Sequence, residues 1–336
     1  MKKFLALVLS VVMVLSLVAC GETKPAEPAP ETAPEQTDTT TPPAAEPIDA
    51  VLATGGTSGT YYAVGGVLQT VLGSKLSLLN LTVESTGASK ANVNMMTDGE
   101  AQLAILQSDV LNYAHEGTFT FKDTGAEKTA LWVAGLYNET VQILAKPGIN
   151  NVSDLKGKTV VVGDVGSGTE VNAWQVLGAV GLTEKDITKV NNGFGDGVEM
   201  LKNGLADAVF TVAGAPTTAI VDYAATNELN LVSLSDDELA KITTEYPFLV
   251  QDNLKPGTYN GYDKEVVCVA VQAALVADET VSEDAVYELT KAIFENQDEL
   301  TKGHAKWGLL STDTCLENTA PLHPGAEKYY KEVGVL

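Results

Sequence analysis

Arginine is absent: all 21 basic residues of the 336 are lysine. Arginine is the planar fork that usually grips carboxylates and phosphates. Any anion bound here must rely on backbone N–H groups, hydroxyls or lysine. Forty-four acidic side chains leave a formal charge of −23. Such a balance keeps a chain soluble and argues against nucleic acid as a partner, because a phosphate backbone needs a basic face. Histidine is scarce. His115, His304 and His323 lie far apart with no zinc-like spacing, and His323 in LHPG reads as a structural turn residue rather than a base. Neither Ser58 nor Ser167 has both glycines of a G-x-S-x-G elbow. No nucleophile, metal or cofactor cluster emerges, so the chain is not expected to be an enzyme and no cofactor is expected.

Cysteine numbers three, at 20, 268 and 315. The first closes a targeting segment. Lys2-Lys3 is a charged start, FLALVLSVVMVLSLVA (4–19) an apolar run, and LVAC (17–20) resembles a bacterial lipobox in which Cys20 is lipidated after residues 1–19 are removed. The alternative, an uncleaved membrane anchor, meets a run short of the roughly 20 residues a span needs. Cleavage removes two lysines and leaves 19 against 44 acidic groups, a charge of −25. Cys268 and Cys315 then remain in an exported setting, where they form either a disulfide or, more ordinarily, two buried free thiols.

Proline is concentrated in one place. Seven of 13 fall within GETKPAEPAPETAPEQTDTTTPPAAEPI (21–48), with Glu, Thr and Ala. Such a composition buries too little surface to fold. With Cys20 it reads as a disordered tether (20–48), roughly 80 Å long at about 3.1 Å per residue.

The body begins near Asp49, and 45% apolar residues supply its core. A strand–turn–helix unit appears twice. AVLAT (50–54), GGTSGT (55–60) and YYAVGGVLQTVLG (61–73) form the first, with Val64, Val67, Leu68, Val71 and Leu72 on one helical stripe. TVVVG (159–163), DVGSGT (164–169) and EVNAWQVLGAVG (170–181) form the second, with Val171, Trp174 and Leu177 inward. A second echo follows each: MMTDGEAQLAILQSD (95–109) and MLKNGLADAVFTVAG (200–214), a helix end, a glycine stop and an apolar strand. Two similar α/β lobes with parallel-rich sheets are implied. LWVAGLYNETVQILAK (131–146) and EVVCVAVQAALVAD (265–278) are nearly continuous apolar runs and read as strands crossing between the lobes. A helix capped by Ser282 follows, with Val286, Leu289 and Ile293 inward. The first lobe then holds 49–139 and 267–336, the second 140–266.

The glycine turns are not nucleotide loops. Gly157-Lys158-Thr159 has Val152 where a P-loop needs glycine, and it precedes the strand instead of following it. The G-x-G-x-x-G fingerprint is missing from both turns. A helix N-terminus nevertheless leaves N–H groups unsatisfied and partly positive. Two such ends, one per lobe, with glycines for close approach, suit an anion without arginine. The competing reading is that Thr57, Ser58, Thr60, Ser167 and Thr169 only cap helices.

At these residues the sequence resembles the TAXI family of solute-binding proteins of TRAP (tripartite ATP-independent periplasmic) transporters. ATGGTSGTYYAVGG (53–66), GEAQLAILQSD (99–109), GDVGSGTE (163–170), VAGAPTTAI (212–220) and PLHPGAEKYYKE (321–332) carry the resemblance, which covers about 50–336. It implies a type II periplasmic-binding-protein fold, two α/β lobes joined by two crossing strands with a ligand cleft between. It also implies capture of a small carboxylate (a glutamate-like amino acid, 2-oxo acid or dicarboxylate) and delivery to an ion-gradient-driven integral membrane permease. The lipid and tether fit the outer face of a cell membrane with no closed periplasm, which points to a Gram-positive source.

Carried over, the first lobe offers Thr54, Gly55, Gly56, Thr60 and Tyr61 from its opening turn, with Gln107 and Ser108 from a strand end. The second offers Ser167, Gly168 and Thr169, with Ala213, Gly214 and Pro216 lining the floor. Tyr62, Asp109, Tyr137, Asn138 and Glu139 follow as further candidates, and Glu139 or Asp109 would receive an ammonium. Ala63 stands where family members often carry proline, a departure expected to affect the helix start more than ligand choice. The alternatives are an ABC-transporter-type binding lipoprotein for another small anion, a hydrolase, or a surface adhesin.

Overall fold

The computed structural model describes residues 46–336, so the targeting segment, Cys20 and nearly all of the tether lie outside the described residues. Among the described residues no helix is long and apolar enough to cross a membrane.

The first half of the chain runs β1 (Ile48–Ala53), α1 (Thr60–Leu72), β2 (Leu79–Glu84), α2 (Ser89–Thr97), β3 (Leu103–Gln107), α3 (Ser108–Glu116) and the long β4 (Ala130–Ala145). Then come β5 (Thr159–Val161), α4 (Gly168–Ala179), β6 (Thr188–Val190), α5 (Phe194–Lys202), β7 (Ala208–Ala213), α6 (Thr218–Ala224), α7 (Asp236–Glu245) and β8 (Val250–Leu254). The chain closes with β9 (Val266–Asp278), α8 (Glu283–Glu295), α9 (Gln297–Gly303) and α10 (Pro324–Glu332).

The sheet order is β2-β1-β3-β9-β4-β7-β5-β6, with β8 on β9. It repeats itself about its centre. On one side β1 pairs β2 and β3 in parallel, and β3 meets β9 antiparallel. On the other β5 pairs β6 and β7 in parallel, and β7 meets β4 antiparallel. Each lobe's fourth strand is therefore the crossing strand that follows the other lobe's three parallel strands in the chain: β9 for the first lobe, β4 for the second. β4 and β9 pair with each other from Ala130↔Asp278 to Thr140↔Ala270 while their outer partners change. β9 leaves β8 at Ala270 and takes up β3 at Ala273; β4 takes up β7 at Thr140. Two α/β lobes joined by two crossing strands result.

Composition explains this placement. Strands covered on both faces read as continuous apolar runs, and in β4 only Asn138 is exposed. The helices bury one stripe each. In α1 it is Tyr61, Val64, Leu68 and Leu72, with Val67 and Val71 at its margin. In α8 it is Val286, Leu289 and Ile293 behind the Ser282 cap, whose Oγ accepts from Ala285 N–H. Helix α4 departs from the expected stripe: Trp174 is only partly buried, while Val171, Ala173, Val176 and Leu177 are covered. The cause is packing on more than one side. Asn172 and Gln175 of α4 are themselves buried against α3.

Cys268 and Cys315 are free, buried, and belong to different core clusters. Burial pushes the Cys268 thiol up to about 12. His323 is buried as the N-cap of α10, its Nδ1 accepting from Gly325 N–H.

Candidate ligand-binding cleft

Four loops meet where the lobes face each other. Each follows a parallel strand and ends at a helix start, the usual ligand position for such sheets. Residues 54–59 lead into α1 and 85–88 into α2 on the first lobe; 162–167 lead into α4 and 191–193 into α5 on the second. They enclose a cavity of about 350 Å3, within the range of small-molecule sites.

The helix starts differ in how their N–H groups are satisfied. α1 begins after Gly59, α2 after Ala88 and α5 after Gly193, none with a capping bond from its own N-cap side chain. Only α4 carries such a cap, Ser167 Oγ accepting from Glu170 N–H at 3.1 Å. Capping thus explains Ser167, and Ser58 of the GGTSGT turn caps α5 across the cleft, but neither caps α1 or α2. Uncapped starts leave donors for a ligand, and Gly56 has open space where a Cβ would stand. Ala88 holds φ 67°, a region that favours glycine and that costs about 1–3 kcal/mol in other residues.

Of the residues expected from sequence, Gly55, Gly56, Thr60, Tyr61, Gln107, Glu139, Ser167, Gly168, Thr169 and Ala213 line the cavity. The others stand beside it. Thr54 is buried, its hydroxyl donating to Glu84 O at 2.6 Å. Gly214 O accepts from Thr60 Oγ1 at 3.2 Å, and Pro216 is exposed two residues on. Ser108 O accepts from Thr319 Oγ1. Tyr62 and Asn138 are exposed, and Tyr137 is buried with its hydroxyl unpartnered. Asp109 is fully buried and accepts from Asn172 Nδ2 of the other lobe at 3.0 Å. Burial raises its carboxyl to about 6.

Sequence reading passed over Ser85, Ala88, Ser89, Asp164, Gly193, Phe194, Gly195, Asp196 and Val212, which also line the cavity. A signal existed for one group. NNGFGDG (191–197) is a glycine-rich run opening a helix, like the two turns that were singled out.

The lobes touch across the cavity. Ser58 Oγ of the first accepts from Gly195 N–H of α5 at 3.1 Å. Gln107 lies so close to Gly168 that a Cβ there would overlap its amide. Gln175 Nε2 donates to Tyr113 Oη at 3.1 Å. Glu139, from the crossing strand, accepts from Tyr61 Oη at 2.5 Å, and burial raises its carboxyl to about 8. Among the described residues no group of His, Cys, Asp or Glu is arranged to hold a metal.

Two α/β lobes with a small cavity between them make up the periplasmic-binding-protein fold. Residues 52–334 match the NMT1-like family, and the chain belongs to it. A solved structure of a protein from Bordetella bronchiseptica RB50 is 15% identical, with 87% of this chain and 90% of that one covered and a TM-score of 0.50. A structure described as a periplasmic transporter is 14% identical over 86% of this chain and 94% of that one, also at 0.50. The alkanesulfonate-binding protein SsuA from Xanthomonas axonopodis pv. citri, bound to MOPS, is 14% identical over 86% and 85%, at 0.46. At these identities the likeness is one of fold.

Proposed function

We propose that this protein is an extracytoplasmic solute-binding lipoprotein that captures a small carboxylate and delivers it to an ion-gradient-driven TRAP permease. The observation that carries the ligand class is the ring of helix starts around the cavity, three of them without a cap of their own. In a chain with no arginine, backbone donors and helix dipoles are the means left for holding a carboxylate. The five TAXI-like segments support the permease class, and the LVAC sequence with its proline-rich tether supports a lipid anchor at Cys20. We take the lobes to be 49–139 with 267–336, and 140–266, hinged where β4 and β9 change partners.

A thermal-shift panel of amino acids, 2-oxo acids, dicarboxylates, sugars and nucleotides tests this reading. A ligand at 100 times its Kd adds about 2.7 kcal/mol, a rise of roughly 5 °C for a body of this size. A shift confined to carboxylates is expected. A shift with sugars or nucleotides alone would overturn the reading.

A further inference from the structure

Beside the cavity the lobes meet along a second seam, between α3 of the first and α4 of the second. Val171 of α4 packs in the same apolar cluster as Val110, Leu111 and Ala114 of α3. Tyr113 of α3 stands edge-on to Phe248 of the second lobe, their ring centroids 6.1 Å apart. Inside this apolar seam lies a polar string. Asn172 Nδ2 donates to Asp109 Oδ2 at 3.0 Å and to Gln175 Oε1 at 2.8 Å, and Gln175 Nε2 donates to Tyr113 Oη at 3.1 Å. Asp109, Asn172 and Gln175 are all buried, and none of them lines the cavity.

Asp109 is poorly placed for a charge. A buried carboxylate is costly unless it is paired, and no cation pairs with this one. Its partners are Val110 N–H and the Asn172 amide. Glu139 of β4, a like charge, and Tyr113 of α3 are the titratable groups that sense it. The others on the surrounding elements are engaged elsewhere. His115 of α3 is held by Ala130 O and Lys90 of α2 by Thr120 O. Glu170 of α4 is held by Gly166 N–H and Lys189, and Asp278 of β9 by Thr280.

The Asn172 amide gives an independent sign. Its Oδ1 is buried and has no partner, and a buried acceptor left unmade is costly. The charged form of Asp109 brings only more acceptors to the seam, whereas its neutral form brings a donor. Asp109 has these surroundings only while the lobes are together, because Asn172 and Gln175 belong to the second lobe.

Resting on the two-lobe binding function proposed above, we infer that Asp109 is a proton-operated latch between the lobes. With its proton it is buried against Asn172 and the lobes close. Without it the carboxylate draws in water and they part. Closure then takes up one proton from the medium and is favoured on the acid side. The carboxyl stands at about 6 with the lobes together and returns toward the ordinary 3.8 in water. Closure therefore strengthens as pH falls through about 6 and levels off below about 4. From pH 7.5 to pH 5 the ratio of closed to open form should rise about tenfold.

The test needs no ligand. Glu116→Cys, at the end of α3, and Glu184→Cys, beyond α4, carry spin labels in a chain beginning at Glu46. Distance distributions are recorded at steps from pH 7.5 to pH 5. The short-distance population should gain about tenfold on the long one over that range. Asp109→Asn, a neutral amide of the same shape, should hold the short population throughout. Asn172→Asp puts a second carboxyl in the seam; the two share a proton, and the response should move to higher pH. A parent distribution that does not change with pH overturns the inference, as does an Asp109→Asn response matching the parent's. Should Asp109→Asn fail to fold, Asn172→Asp decides, an unmoved response overturning the latch. Since no ligand enters, each of these failures leaves the carboxylate function standing; that function fails on the thermal-shift panel instead.

Discussion

Asp109 and Glu139 are both fully buried acids whose native environment favours the proton. For Asp109 the contribution to stability is complete below the ordinary 3.8 and is lost as pH rises through about 6. For Glu139 it is complete below 4.5 and lost as pH rises through about 8. The melting temperature of ligand-free protein should therefore fall between about pH 4 and 8. By linkage the shifts correspond to roughly 3 kcal/mol for Asp109 and roughly 5 kcal/mol for Glu139. Asp109→Asn should flatten the curve from about pH 4 to 6, and Glu139→Gln from about pH 5 to 8. An Asp109→Asn curve parallel to the parent's from about pH 4 to 6 would contradict this. The sequence offered both carboxylates as ammonium acceptors and could not choose between them. The structure turns Asp109 to Asn172, 63 positions away in the chain and on the other lobe. No local pattern carries that contact.

Among the elements, α4 shows how one helix serves both lobes. Ser167 caps it, and Gly168 at its first position lets Gln107 of β3 approach. Gly178, near its end, is exposed with open space around it. Alanine at the two sites should therefore act oppositely. Gly178→Ala should stabilise the protein by up to about 1 kcal/mol through helix propensity and leave affinity unchanged. Gly168→Ala places a methyl in the Gln107 amide and should weaken ligand binding about tenfold or more, overpacking costing about 1–3 kcal/mol. Chemical melting followed by titration separates the two effects, and equal affinity in both variants would remove Gly168 from the closed site. The strand–turn–helix units and the apolar crossings were legible because period and glycine placement are local signals. The Ser85–Ser89 wall was not, because STGASK has no glycine run and Ala88 holds its positive φ without one.

For the whole molecule, the lobes are joined by two strands and held together by a few side-chain bonds: Ser58 to Gly195, Thr60 to Gly214, Asp109 to Asn172 and Gln175 to Tyr113. Each is worth only about 0.5–1.5 kcal/mol net. Such a set holds closure weakly, so a ligand that touches both lobes can decide the balance. The crossing strands β4 and β9 pair with each other and with strands of both lobes, so the hinge is continuous with both halves of the sheet.

The most direct measurement of this account is the distance between spin labels on cysteines introduced at Glu116 and Glu184, both exposed. Glu116 ends α3 on the first lobe and Glu184 follows α4 on the second, so the pair spans the interface these helices form. A chain beginning at Glu46 lacks Cys20, and its two native thiols are buried. The account predicts a broad, longer distance without ligand, narrowing and shortening when the carboxylate that gives the largest thermal shift is added. One unchanged distance with and without that ligand would contradict closure around the cavity and, with it, the proposed binding mechanism.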